Sequence, residues 1–302
     1  MSNLITLPKE YKVLLFYKYV NIEDPDTLMK EHLRFCKANN ITGRVFIARE
    51  GINGTVSGKI ADIEVYKSHL KSFPQFSDVI FKEDLEDKPA HSKMHVRVKD
   101  EIVNSKLINT SLKNGGKRLK PEQLKEFYES GKDFIVVDAR NWYESTIGRF
   151  KGALTPPMET FRDWPKVVED LKDFKDKTII TYCTGGIRCE KASAYMVEQG
   201  FKDVYQLDGG IVTYAKKYPD TYWEGAVWVF DERYVVNPNT KKQLSEIADC
   251  VFCGEKTSYY INCHNLECDK ILICCHKCKK EMEYCCSEEC RNSPRKRDHY
   301  YG

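Results

Sequence analysis

The chain has 302 residues and a formal net charge of +3; 41% of its residues are hydrophobic and 31% are charged. Its 18 Tyr and 14 Phe provide enough large apolar side chains for folded cores, which excludes extensive disorder, and the length allows two or three domains. A net charge this small gives no indication of nucleic-acid binding by the chain as a whole.

No apolar run approaches the ~20 residues that a membrane-spanning helix requires, so we expect no membrane-spanning helix and no membrane partner. The segment Met1–Glu10 lacks a basic region followed by an apolar core, so we expect no secretory signal and a cytoplasmic location. In that compartment cysteines are more often catalytic or metal-bound than disulfide-bonded.

Residues 1–110 are predicted to form a small α+β domain. The order strand, helix, strand, strand, helix, strand is that of a ferredoxin-like fold. The predicted elements are Val13–Val20, a helix from Asp24, Arg44–Ala48, Thr55–Gly58, a helix over Ala61–Leu70, Val79–Phe81 and Met94–Val98. Between the second and third strands, Glu50–Gly54 is predicted to be a glycine-rich turn in which Asn53 tolerates a left-handed backbone.

Basic residues lie on or near these strands, and two further basic clusters occur later in the chain. They are Arg44, Arg49, Lys93, Arg97 and Lys99, with the clusters Lys117–Lys120 and Arg295–Arg297. The strand residues could form a basic sheet edge that holds RNA phosphates or could be ordinary surface charge. For each of the two later clusters a solvated surface run is the simpler interpretation.

Residues 119–222 are predicted to form an α/β domain in which apolar strands alternate with helices, giving a parallel sheet. The predicted elements are Pro121–Ser130, Phe134–Asp138, Lys177–Tyr182, Glu190–Gln199 and Val204–Leu207, after a loop at Asn114–Lys117. Residues 223–302 are predicted to begin with a hairpin, Ala226–Phe230 and Arg233–Val236, and to continue into a cysteine-rich module.

Cys183 follows one of these strands and precedes a helix, in a loop closed by Arg188. The residues between them are Thr184, Gly185, Gly186 and Ile187. Glycines let backbone N–H groups converge on one point, and a helix N-terminus adds positive potential, so this loop is expected to lower the thiol pKa and to bind an anion at sulfur. Phosphatases with a loop of this design use one more residue, which argues against phosphatase activity. The alternative is a small buried structural cysteine.

Ten of the 13 cysteines lie in the last 53 residues. Paired thiolates a few residues apart can face one ion across a tight turn, so four pairs predict two tetrahedral, structural zinc sites with four cysteine ligands each. The predicted ligands are Cys250, Cys253, Cys263, Cys268, Cys275, Cys278, Cys286 and Cys290. We expect an interleaved arrangement, first pair with third and second with fourth, which leaves Cys274 and Cys285 surplus. An iron–sulfur cluster and a set of packed thiols are the alternatives.

Four motifs occur in the order found in the rhodanese family. They are Asp138-x-Arg140-x3-Glu144, Gly148-x3-Gly152-Ala153, Cys183-x4-Arg188 and Asp208-Gly-Gly210. The longer segments Gly43–Gly54 and Cys183–Met196, together with the cysteine-rich tail, resemble the rhodanese-type tRNA uridine hydroxylases. The resemblance covers nearly the whole chain. It implies a central rhodanese domain, an acylphosphatase-like module in the ferredoxin-like N-terminal domain, and a small zinc-binding module at the end.

The resemblance further implies an oxidoreductase that uses molecular oxygen to convert uridine at tRNA wobble position 34 to 5-hydroxyuridine. Cys183 and Arg188 would be the catalytic residues. The supporting residues would be Asp138, Arg140, Glu144 and Cys189. Cys183 could add to uracil C6 or could act as a persulfide or sulfenate, and Cys189 could resolve an oxidised Cys183 or simply pack. Rhodaneses commonly have His where this chain has Arg149, so no role is carried over to that position.

Two other functions remain open from the sequence. The loop would also suit a sulfurtransferase that moves persulfide or thiosulfate sulfur, and the zinc module would suit a non-enzymatic adaptor that binds a protein partner. An intact Cys183–Arg188 pair argues against the adaptor. The sequence has no Gly-x-Gly-x-x-Gly nucleotide fingerprint and no His-His-carboxylate iron site, so it identifies no oxygen-activating cofactor.

Overall fold

The structure is a computed structural model that describes residues 9–239 and 241–297. The chain divides into two compact units, Met1–Leu112 with Val229–Tyr234, and Lys113–Trp228 with Val235–Gly302. The expectation that there is no secretory signal rests on Met1–Glu10, most of which lies outside the described residues. Across the described ranges, no helix combines the length and the apolar character needed to cross a membrane.

The first unit is a mixed sheet covered on one face by two helices. Its elements are β1 (Tyr11–Tyr19), α1 (Pro25–Ala38), β2 (Thr42–Ala48), β3 (Gly51–Lys59), α2 (Ile60–Ser72), β4 (Phe81–Glu86) and β5 (Met94–Val98). The strand order is β4-β1-β3-β2-β5. The first four strands pair antiparallel in the ferredoxin-like order, and β5 extends the sheet parallel to β2. The predicted fold of this domain is therefore confirmed.

Local chemistry explains where α1 begins and which side chains it buries. The Asp24 side chain accepts a hydrogen bond from the Thr27 amide at 3.0 Å, and Pro25 follows it, which is a standard helix start. Cys36 is fully buried in the core between α1 and the sheet, together with Leu14 and Tyr66. Alternate residues of the strands share this core with residues of both helices, so the two helices cover one face of the sheet.

The glycine-rich turn expected at Glu50–Gly54 is wrong. β3 begins at Gly51, and Asn53 is paired with Phe46 in the strand ladder rather than placed in a turn. A Cβ atom on Gly54 would lie 2.8 Å from the Phe16 ring and 2.9 Å from a Val45 methyl, so the glycine leaves room for its neighbours. The expected strand at Val79–Phe81 also shifts, since β4 begins only at Phe81.

The second unit is built on a parallel sheet. Its elements up to the hairpin are β6 (Lys117–Leu119), α3 (Pro121–Glu129), β7 (Ile135–Asp138), α4 (Trp142–Ile147), β8 (Gly148–Phe150), α5 (Trp164–Asp170), β9 (Thr178–Tyr182), α6 (Ile187–Glu198), β10 (Asp203–Leu207), α7 (Gly210–Lys217), β11 (Trp223–Gly225), β12 (Val227–Trp228) and β13 (Val235–Val236). The sheet order is β6-β10-β9-β7, with every pair parallel. This confirms the α/β architecture.

The cysteine-rich segment of the second unit has only short elements. They are β14 (Tyr260–Asn262), β15 (Ile271–Ile273), α8 (His276–Glu281) and α9 (Glu288–Arg291). The strands pair as β8 with β11, β12 with β13, and β14 with β15, all antiparallel. The second of these pairs is the expected hairpin, shortened to two residues on each side.

Two boundaries in the second unit differ from expectation. Lys117 belongs to β6 and not to a loop; it pairs with Asp203 at 2.9 Å, while Arg118 pairs with Glu190 at 2.5 Å, so the unit's own carboxylates neutralise these cations. Helix α6 begins at Ile187 rather than Glu190, because Gly186 adopts a φ of 100° and ends the preceding loop.

Candidate active site and cysteine clusters

Cys183 lies between the end of β9 and the start of α6, and its side chain is fully buried. The Gly186 amide donates a hydrogen bond to Cys183 Sγ at 3.1 Å. The loop residues Thr184, Gly185 and Gly186 are buried and Ile187 is partly buried. The loop and the first turn of α6 thus close over the sulfur, and a backbone N–H donor points at it as a thiolate requires.

Of the glycine pair at the start of α7, Gly209 and Gly210, the second packs against this loop. The sequence alone did not indicate that contact. A Cβ on Gly210 would lie 2.5 Å from the Cys183 carbonyl oxygen, so only glycine fits there, and its φ is 68°. The first amides of α7 bind the loop carbonyls, with Ile211 donating to Cys183 O at 3.0 Å and Val212 to Thr184 O at 3.1 Å. The N-terminus of α7 therefore holds the loop in place through the loop's carbonyl oxygens, while the Gly186 amide donates its hydrogen bond to the Cys183 sulfur.

The surroundings of Cys183 favour its thiolate. Burial alone raises the pKa of this thiol, but the Cys189 thiol donates a hydrogen bond to it, the Arg188 charge lies nearby, and the Cys189 and Gly186 amides donate to it, so that the pKa falls to about 6. Burial, and then the neighbouring Cys183, raise the pKa of Cys189. At neutral pH the pair therefore consists of a thiolate at Cys183 and a neutral thiol donor at Cys189.

Arg188 is held in place by a buried carboxylate. Its Nη1 and Nη2 donate to Glu144 Oε1 and Oε2 at 2.6 and 2.8 Å. Glu144 sits in the first turn of α4, where it also accepts from the Asn141 amide at 3.2 Å in a capping box. Burial raises the pKa of Glu144, but the charge and hydrogen bonds of Arg188, the Arg140 charge and the Asn141 amide together lower it further, so the net shift is downward and the pair is ionised. The structure thus brings Glu144 to Arg188.

Asp138 and Arg140 form a separate buried group at the end of β7. Arg140 Nε and Nη2 donate to Asp138 at 2.9 and 2.7 Å, and Nη2 also donates to Gly148 O at 2.6 Å. Tyr182, which belongs to none of the sequence motifs, donates a hydrogen bond to Asp138 Oδ2 at 2.6 Å. These contacts tie the ends of β7 and β9 together beneath the Cys183 loop. Arg149, the position at which rhodaneses commonly have His, donates a hydrogen bond to the Ser145 carbonyl oxygen at 3.4 Å.

The eight expected metal ligands gather into two groups of four. One group is Cys250, Cys253, Cys275 and Cys278, and the other is Cys263, Cys268, Cys286 and Cys290. The sulfur atoms within each group lie within 4.8 Å of one another. The structure therefore has the interleaved arrangement, with the first pair beside the third and the second beside the fourth.

The sulfur spacing fits a single tetrahedral ion in each group. A Zn–S bond of about 2.3 Å gives sulfur–sulfur edges of roughly 3.8 Å in a tetrahedron. Cys253 and Cys275 are 3.8 Å apart, and Cys268 and Cys286 are 3.7 Å apart. A thiolate-rich site of this shape suits zinc. Both groups can therefore hold a metal ion through four protein ligands, which leaves no position for a substrate.

Other potential ligands of the module have structural contacts instead. Cys274 and Cys285 are fully buried and belong to neither group. The His264 ring stacks on Tyr284 with centroids 4.8 Å apart, and the His276 ring lies 3.6 Å from that of Tyr259.

The module packs on the helix that carries Glu144. Ile147 of α4 lies in one buried cluster with Trp228, Ala248 and Ile273. The Trp228 and Tyr260 rings stack with centroids 3.4 Å apart. The cysteine-rich segment thus forms the surface against which α4 is placed, and α4 in turn positions Arg188 through Glu144.

Several known proteins are similar to this chain over nearly its whole length. A tRNA uridine(34) hydroxylase from Bacillus licheniformis is 45% identical over 296 residues, which cover 96% of this chain and 91% of the relative. One from Staphylococcus carnosus is 44% identical, covering 95% and 92%. The chain belongs to the tRNA uridine(34) hydroxylase family. A solved rhodanese-like domain protein from Staphylococcus aureus aligns with 32% of this chain and 90% of its own, at 24% identity and a TM-score of 0.29.

Three domain families match successive parts of this hydroxylase-family chain. The UPF0176 acylphosphatase-like domain matches residues 11–102, the rhodanese-like domain 120–217, and the rhodanese C-terminal domain 224–291. The rhodanese match contains the Cys183 loop, and the C-terminal match contains both cysteine groups. The chain is thus a rhodanese-superfamily enzyme with an N-terminal mixed-sheet domain and a C-terminal module bearing two four-cysteine groups.

Proposed function

We propose that this chain hydroxylates C5 of uridine 34 in tRNA, with molecular oxygen as oxidant and Cys183 as the catalytic residue. The observation that carries the proposal is the combination of near full-length similarity to tRNA uridine(34) hydroxylases with a Cys183 whose pKa lies at about 6. A thiolate at neutral pH is the form that a nucleophilic mechanism needs.

The first chemical step proposed is addition of the Cys183 thiolate to uracil C6. The new S–C6 bond moves the C5=C6 electron pair onto C5 and, by conjugation, onto O4. Arg188 and the loop amides stabilise that negative charge, because they are fixed before the reaction begins. C5 thereby becomes the nucleophile that takes up oxygen.

The remaining steps restore the ring and balance the oxidation. C5 acquires one oxygen atom of O2, loses its proton, and the S–C6 bond breaks to regenerate C5=C6 and the thiolate. The second oxygen atom leaves as water, with two electrons and two protons supplied by an external thiol reductant that becomes a disulfide. The net change is C5–H to C5–OH.

Two zinc ions are proposed for the four-cysteine groups, with a structural role. The near-tetrahedral sulfur spacing and the thiolate ligand set support zinc. When bound, the ions would hold the short elements of the module together. We place this enzyme in the cytoplasm, where its tRNA substrate occurs and where free thiols persist.

Purified enzyme, uridine-34 tRNA, a thiol reductant and 18O-labelled dioxygen provide the test. We expect 5-hydroxyuridine that carries one 18O atom, and no product from Cys183→Ala enzyme. Product labelled from 18O-water instead would contradict oxygen incorporation from O2. A 5-fluorouridine-34 tRNA should trap a covalent adduct on Cys183, because fluorine cannot leave C5 as a proton does; persistent absence of that adduct would contradict addition at C6.

A further inference from the structure

The sheet of the first unit has one face that its helices do not cover. Successive side chains of a strand point to opposite faces. Val45 and Ile47 of β2 and Val96 of β5 lie in the hydrophobic core beneath the helices. The alternating residues therefore lie on the other face; these are Arg44, Phe46, His95 and Arg97. Three of the four are exposed and Phe46 is partly exposed.

The strand register makes these side chains neighbours. Arg44 is paired with His95, and Phe46 with Arg97. Paired strands are about 4.8 Å apart, so an aromatic ring lies directly beside a guanidinium and diagonally from another. Lys93 and Lys99 flank β5 and are exposed. The result is a compact surface of cations around one apolar ring, which we call the β2–β5 face (Arg44, Phe46, His95 and Arg97).

The charges of this face differ from those of the other basic clusters. Arg295, Lys296 and Arg297 each pair with a carboxylate, as do Lys117 and Arg118. Over residues 9–239 and 241–297, neither Arg44 nor Arg97 pairs with a carboxylate, and no aromatic ring contacts Phe46. A polyanion with exposed aromatic bases matches this surface, since its phosphates can pair with the two arginines and its bases can stack on the Phe46 ring.

We propose that the β2–β5 face binds an unpaired segment of the tRNA substrate. Arg44 and Arg97 contact phosphates, and Phe46 stacks on a base. Single-stranded RNA is recognised in this way on other open sheets, because an aromatic side chain on a sheet face can stack on any base. The identity of the RNA as tRNA rests on the proposed function, whereas the surface itself rests on the strand register and the free charges.

Anisotropy titrations of full-length enzyme with labelled tRNA test this at several salt concentrations. Arg44→Ala/Arg97→Ala should reduce the slope of log affinity against log salt by about 1.4, or about 0.7 for each lost single-strand phosphate contact. Phe46→Leu, which keeps apolar volume and loses the ring, should weaken binding by roughly 10-fold. Arg34→Ala/Lys37→Ala on α1 is the matched control, since both residues are exposed on the helical side, and it should leave the slope unchanged.

The outcomes separate this proposal from the proposed function. Two results together would contradict RNA binding by the β2–β5 face: a salt slope for Arg44→Ala/Arg97→Ala equal to that of the control, and wild-type affinity of Phe46→Leu for tRNA. A face that binds a protein partner would give these results. Formation of 5-hydroxyuridine by those same variants at wild-type rates would leave the hydroxylase proposal standing. Conversely, the expected losses of binding in an enzyme that makes no 5-hydroxyuridine would support the face and contradict the hydroxylase.

Discussion

Arg188 and Glu144 form a buried, bidentate ion pair that joins the first turn of α6 to the first turn of α4. Glu144 is fully buried and Arg188 is nearly so. A charge that stands beside the Cys183 sulfur is thus fixed by a carboxylate from a different helix. The bidentate geometry holds the two side chains together as one rigid unit.

Glu144→Gln should strongly destabilise the fold. The amide keeps the shape of the side chain but leaves the Arg188 charge buried without its counter-charge, so the free energy of unfolding should fall by about 3–5 kcal/mol. Urea denaturation measures this. Glu126→Gln, an exposed position on α3, should change stability by no more than about 0.5 kcal/mol. Equal stabilities of the two variants would contradict a structural role for the pair.

The pH dependence of hydroxylation should report the Cys183 thiolate. With a pKa of about 6, lowered from the usual range, the reactive form is lost as pH falls through 6 and is complete at pH 8. Single-turnover rates should therefore rise with a midpoint near 6. Arg188→Ala removes a charge that lowers this pKa, so the midpoint should move upward, whereas Arg188→Lys should move it less. An unmoved midpoint in Arg188→Ala would show that another group titrates.

Part of this site could be predicted from sequence because the relevant information is local. Cys183, the loop glycines and Arg188 occupy one short stretch between an apolar strand and a helix, and closely spaced cysteines indicate metal ligands by themselves. The spacing predicts eight ligands in four pairs but not how the pairs combine; the structure shows the interleaved arrangement that we expected.

What could not be predicted depends on contacts between distant segments. Gly54 looks like a turn residue, yet its neighbours Phe16 and Val45 require a glycine within a strand. Gly210 and Tyr182 support the site only because α7 and β7 lie beside the loop. The Asp208-Gly-Gly210 motif is visible in the sequence, but it does not indicate which residues Gly210 contacts.

Cys189 should tune Cys183 through its hydrogen bond. Cys189→Ala removes the donor and should raise the midpoint of the pH–rate profile, while Cys189→Ser retains a hydroxyl donor at nearly the same place and should stay closer to wild type. The thiolate can be followed independently by the pH dependence of Cys183 alkylation, with the modified peptide quantified by mass spectrometry. Identical pH profiles for the Ala and Ser variants would contradict the claim that the Cys189 hydrogen bond lowers the pKa of Cys183.

Metal content should distinguish neighbouring cysteines. We expect two zinc ions per wild-type chain by plasma mass spectrometry and no visible iron–sulfur absorption. Cys275→Ser should lose one ion, whereas Cys274→Ser, which alters the adjacent residue outside both groups, should keep two. Loss of zinc should also lower hydroxylation, because the module forms the surface on which α4 and Glu144 are placed. Retention of both ions by Cys275→Ser would contradict the assignment.

The most direct measurement is nucleoside mass spectrometry of tRNA from cells that lack this gene, complemented with wild-type protein or with Cys183→Ala. We predict that only the wild-type protein restores 5-hydroxyuridine-derived nucleosides at position 34. Full restoration by Cys183→Ala would contradict the catalytic role of the thiolate. Failure of wild-type protein to restore them, in a strain with no second route to the modification, would contradict the hydroxylase itself.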